Sequence, residues 1–166
     1  MYHTINDFLL DWKYESESTL KLLKNLTDES LSKKLHKDVR TAGILTWHLV
    51  HTMEEMMEKT GLTVGVKKQQ DYNNETVQEL CDWYEKGALS VAEEVKKNWT
   101  DADLEKEDDM YGEKWKRGTT LQILLRHQSH HRGELVVIMR MLGLPVIGVY
   151  GPTKEDWTKY GMPEMA

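Results

Sequence analysis

No proline occurs before position 145; the chain's three prolines stand at 145, 152 and 163. The first 144 positions therefore lack the one residue that forbids a helix interior by removing an N–H and clashing with the preceding turn. Alternating β-branched runs of the kind that make half-buried strands are also missing, and six Trp, nine Met and a single Phe suit a core of long and flat side chains. An all-α chain without a sheet is the expectation. With 166 residues it can bury a core as one domain, 1–166, without disulfide or structural metal.

Four segments carry apolar residues at three-and-four spacing. The first, 5–25, aligns Ile5, Phe8, Leu9, Trp12, Leu20 and Leu23, but Glu15, Ser16 and Thr19 interrupt the stripe. The second, 41–60, presents Ile44, Leu45, His48, Thr52, Glu55 and Met56 before Gly61, a good C-terminal stop. The third, 75–99, runs Val77, Leu80, Cys81, Tyr84, Ala88, Val91, Ala92, Val95 and Trp99, with Asn74 as its cap. The fourth opens on Thr119-Thr120-Leu121-Gln122, a capping-box pattern, continues through Leu124, Gln128, His131, Leu135, Ile138 and Leu142, and stops at Gly143. Four amphipathic helices of this length describe a four-helix bundle. Between them lie a short turn at 27–35, a loop at 62–74, and the acidic stretch 101–109 leading to Lys114-Trp115-Lys116-Arg117-Gly118, which read as solvated loops. The tail forms a short helix over 154–160, capped by Thr153, and its Tyr150, Trp157 and Tyr160 should pack back onto the bundle.

Charge narrows the function classes. Lys plus Arg number 22 against 28 Asp plus Glu, a net charge of −6, which argues against nucleic acid and anionic membranes as partners. No apolar run approaches the roughly 18–20 residues of a membrane span. The N-terminus lacks a signal-peptide pattern, and one cysteine, Cys81, cannot pair within the chain, so a cytoplasmic protein is expected. Cys81 falls on an apolar stripe and reads as core, not nucleophile.

Histidine is the chemical signal. Of seven, at 3, 36, 48, 51, 127, 130 and 131, five sit mid-helix where the stripes turn polar. His127 and His131 are four apart, one turn along one face, and two such imidazoles can bind one divalent ion. His48 is the natural third ligand from another helix. His130, with Arg126 and Glu134 at four-residue spacing, is assigned outward; His51 is ambiguous. Three imidazoles leave an open position for water or thiol, the arrangement of catalytic sites. Glu55, seven residues after His48, and Glu134 are candidates for a base or for orienting a ligand, against the plainer reading of each as a solvated flank.

The order Trp47-His48-Leu49-Val50, His127-Gln128-Ser129-His130-His131-Arg132-Gly133-Glu134, then Gly148-Val149-Tyr150-Gly151-Pro152 with Glu155-Asp156-Trp157, resembles the DinB/YfiT-like metal-binding superfamily. The resemblance implies the bundle fold, a homodimer, and His48, His127 and His131 as ligands of a divalent ion that could be zinc, nickel, iron or manganese. It departs at Glu134, where the family usually has Gln. Some relatives are transferases or isomerases using a low-molecular-weight thiol such as bacillithiol or mycothiol. The expected function is thus a metal-dependent enzyme on a small-molecule substrate, a thiol S-transferase or hydrolase; the alternative is a non-catalytic dimer with a structural or sensory metal.

Overall fold

The computed structural model describes residues 1–68 and 72–163. Its long helices are α1 (Ile5–Leu23), α3 (Ala42–Glu58), α4 (Val77–Asn98) and α5 (Arg117–Met141), with α2 a single turn, Asp28–Leu31. α1 packs against α4 and α5, and α3 packs against the same two, so the four close a ring around one core. Phe8, Trp12, Leu45, Trp47, Met53, Leu80, Tyr84, Val91, Leu121 and Leu135 fill it. Cys81 is buried there, as its stripe requires. The expected loop at 62–74 includes positions 69–71, which lie outside the described residues, as do 164–166 of the expected domain.

The helix ends differ from expectation in instructive ways. Thr76, not Asn74, caps α4, its hydroxyl accepting from Glu79 N while the Glu79 side chain reaches back. Asn74 instead takes the left-handed conformation, φ 59°. α5 begins at Arg117, before the Thr119 pattern, and Gln122 accepts from the N-terminal ammonium at 2.8 Å. Gly118 is required there, because a Cβ would lie 2.2 Å from the Tyr2 carbonyl. Ile44 is 42% exposed rather than in the core.

The stretch expected to be a solvated loop contains a 3₁₀ turn, Asp101–Glu105, and an antiparallel hairpin, β1 (Glu107–Met110) and β2 (Glu113–Lys116), correcting the expectation of no sheet. Most of its charges stay exposed, as expected, and several are also paired. Glu107 faces Lys116 and Asp109 faces Lys114 across the strands, and Asp108 takes Arg117 at 2.9 Å. Both turn residues have positive φ, Tyr111 at 61° and Gly112 at 88°, the twist a tight hairpin needs. Met110 anchors the ribbon, fully buried. The tail returns to the bundle as expected at Tyr14, whose hydroxyl donates to the Val149 carbonyl, and at Tyr150, 5.6 Å over the Arg132 guanidinium. Tyr150 and Tyr160 are nevertheless both largely exposed, at 71% and 70%.

The polar interruptions of α1 and α5 meet. Arg132, 4% exposed, donates to Glu15 Oε2 at 2.6 Å and to Thr19 Oγ1 at 3.1 Å, both in α1. Gln128, one turn earlier, donates to the Leu49 carbonyl of α3 at 2.9 Å and accepts from the Tyr84 hydroxyl of α4 at 3.2 Å. α5 is thereby tied to each of its three companions by a buried hydrogen bond. These bonds also fix the register in which its neighbouring residues face α3.

Candidate metal centre

His48 of α3 and His127 and His131 of α5 converge between those helices. Helical phase turns His127 and His131 together, and the Gln128 bond to Leu49 brings α3 alongside with His48, the residue before Leu49, facing them. The three Nε2 atoms form a nearly equilateral triangle: 3.2 Å from His48 to His127, 3.1 Å from His48 to His131 and 3.1 Å from His127 to His131. A divalent ion about 2.0–2.1 Å from each nitrogen holds its donors about 2.8–3.4 Å apart, across right-angle to tetrahedral geometries. The triangle fits that window, so these imidazoles could hold a metal ion.

Protonation points the same way. His131 Nδ1 lies 2.6 Å from Glu134 Oε2, and because a carboxylate only accepts, the ring's proton sits on Nδ1 and its Nε2 lone pair faces the triangle. Burial, and then the neighbouring imidazoles, press His48 and His127 down to about 4, so both are neutral and able to ligate at ordinary pH. The bond from His131 holds the Glu134 carboxyl below its usual range. His127 Nδ1 is buried without a hydrogen-bond partner among the described residues.

Beside the triad opens a cleft of about 770 Å³, lined by Arg40, Ile44, Trp47, His48, His51, Glu54, Glu55, Glu58, Lys68 and Tyr72. This explains why Ile44 is exposed. Of the two sequence candidates for proton transfer, Glu134 touches His131 directly. Glu55 lines the cleft near Tyr111 at the hairpin tip, whose hydroxyl burial and the Glu55 carboxylate together push up to about 12. His130 points outward, exposed, 3.7 Å from Glu134, as its flanks suggest, and His51 lines the cleft. Sequence reasoning passed over Arg40 and Arg132. The interruption of α1 at Glu15 and Thr19 was a signal that a buried cation had to exist; nothing in the periodicity marks Arg40.

Comparison with known proteins agrees with this architecture. The model of the DinB family matches residues 1–165. A curated protein of Bacillus subtilis (strain 168), described as uncharacterized protein YrdA, is 37% identical over 163 residues, covering 98% of this chain and 97% of that one. A solved DinB-like protein from Bacillus cereus ATCC 10987 superposes with a TM-score of 0.85 at 38% identity, covering 90% of this chain and all of that one. A second, YjoA from Bacillus subtilis, has a TM-score of 0.67 at 19% identity over 88% of this chain and 99% of that one, a likeness of fold. The chain belongs to the DinB family. No helix among the described residues is long and apolar enough to cross a membrane.

Proposed function

We propose that this DinB-family protein holds a divalent ion through His48, His127 and His131 and acts as a metal-dependent enzyme on a small molecule, by thiol S-transfer or hydrolysis. The observation that carries this reading is the 3.1–3.2 Å triangle of Nε2 atoms at the wall of an open cleft. A bound divalent ion would supply Lewis acidity and lower the pKa of a coordinated water or thiol. Glu134 keeps the His131 lone pair aimed at the triangle and, with Glu55 farther along the cleft, offers a carboxylate for proton transfer. The cleft has room for a small substrate and a low-molecular-weight thiol.

Zinc, nickel, iron and manganese all suit three imidazoles, and metal analysis of the purified protein identifies the ion. Paired with a screen of thiol, ester and amide substrates on metal-free and metal-loaded protein, it tests the proposal: turnover that returns with the metal supports it. A metal-loaded protein inert to all three classes supports instead a non-catalytic structural or sensory role. Cytoplasmic location and a homodimer are proposed on the same terms. The dimer draws support from the apolar groove between α1 and α4, lined by Leu9, Trp12, Leu20, Ala88, Leu89 and Ala92, with Leu89 60% exposed. Light scattering at micromolar concentration tests it, and a 19.4 kDa particle contradicts it.

A further inference from the structure

The cleft's cations are not equivalent. Lys68 is held by Glu58 and, at 3.4 Å, by Glu54. Arg40 is exposed on the cleft wall, two residues before α3, and makes no hydrogen bond or ion pair among the described residues. It shares that cleft with His48, the triad's member on its wall. An unpaired guanidinium there is a cost to any cation site. Three neutral imidazoles bring no negative charge; of the described carboxylates nearby, Glu134 touches the triad, whereas Glu54 and Glu58 on the cleft wall are paired with Lys68. Among the described residues one carboxylate, Glu134, touches His131 and none pairs with Arg40. A carboxylate or phosphate group of a ligand would supply Arg40 with a partner.

We infer that Arg40 is an oxyanion anchor, binding a carboxylate or phosphate group of the substrate while another group of the same molecule meets the three-imidazole site. This rests on the reading of His48, His127 and His131 as an ion site. The guanidinium fork matches either oxyanion in bidentate fashion, a geometry that Lys cannot reproduce. Because the whole chain is anionic, at −6, long-range attraction does not draw such a ligand in. Recognition is therefore local, and it selects molecules bearing an oxyanion besides the group that enters the metal site.

The test uses the full chain as wild type, Arg40→Gln and Arg40→Lys. Arg40 is exposed and not hydrogen-bonded, so all three should fold alike. Metal content is measured first and should be equal in all. Zinc-loaded protein is then titrated calorimetrically with succinate, with butyrate, which lacks the second carboxylate, and with inorganic phosphate. Wild type should bind succinate about ten-fold more tightly than butyrate, and Arg40→Gln should erase the difference, with Arg40→Lys between. If phosphate binding, but not the succinate preference, depends on Arg40, the anchor is a phosphate site and the inference stands. If Arg40→Gln leaves the affinity for both oxyanions unchanged, the inference is overturned. A wild type that binds no metal contradicts the ion-site reading instead; Arg40 is then tested on metal-free protein, where phosphate must shift the Arg40 guanidinium resonance, and silence there overturns the anchor too.

Discussion

Two pairs of residues one position apart on α5 lead opposite lives. Gln128 and Arg132 are buried, and their donors reach the Leu49 carbonyl, Glu15 and Thr19. His127 and His131 turn their Nε2 atoms to each other and to His48, three basic nitrogens with nothing between them but one another. The first pair finds its acceptors when the chain folds, although Glu15 Oε1 is left without a partner among the described residues; the second, on the reading proposed above, would be completed by a divalent ion. Polar groups in a helical core stabilise it when donors meet acceptors and cost free energy when they do not. The difference between a structural polar layer and a ligand site thus lies in the bookkeeping of donors, not in burial or polarity.

The largest effect should come from breaking the complete pair. Arg132→Met strands the Glu15 carboxylate in the core, and chemical denaturation should show a loss of about 3–5 kcal/mol. Replacing both partners, Arg132→Met with Glu15→Leu, should recover most of it. A loss under about 1 kcal/mol for the single variant, within the range of exposed pairs, would mean that the layer is wetter than the structure has it.

That partnership was half legible in the sequence. Glu15 and Thr19 stand out as breaks in an apolar stripe, but Arg132 lies 117 residues from Glu15, and no local pattern links them. The helices were readable because a 3.6-residue period survives in each and no proline interrupts it. The triad was readable for the same reason: four-residue spacing aligns His127 with His131, and His48 sits at the polar level of its own helix. The hairpin was not, because it is held by opposite charges across the strands and by a positive φ at Tyr111 rather than by alternating apolar residues. α5 starts at Arg117, two residues before the Thr119 pattern, where Gly118 lies against the Tyr2 carbonyl, a contact over a hundred residues apart that no local pattern marks.

The incomplete pair can be sharpened through its support. Glu134→Gln leaves an acceptor beside His131 Nδ1 but removes the charge that strengthens it as a ligand. Competition with a chromogenic chelator should show metal affinity falling about ten-fold, the lower end of what such supporting residues give. An unchanged affinity would detach Glu134 from the site.

Acid should act on the metal-free protein in a smaller way. His48 and His127, near 4 in the fold and near 6.5 unfolded, bind more protons unfolded between those values. Their contribution is therefore fully present above about pH 6.5 and lost as pH falls towards about 4. Solvent screening of these half-buried rings limits the loss to about 1–2 kcal/mol. Denaturation midpoints of wild type and His48→Gln across that window should converge on acidification; parallel curves would contradict the burial of neutral imidazoles.

The central claim is that the triad awaits a ligand whereas its neighbours do not, and metal stoichiometry tests it most directly. Wild type and His130→Ala should each carry about one divalent ion per chain at neutral pH, as three ligands on one site require. His48→Ala, His127→Ala and His131→Ala should each lose it yet remain folded, since the Gln128 and Arg132 layer is intact in all of them. Metal retained in His131→Ala but lost in His130→Ala, or an apo protein that unfolds outright, would contradict the account.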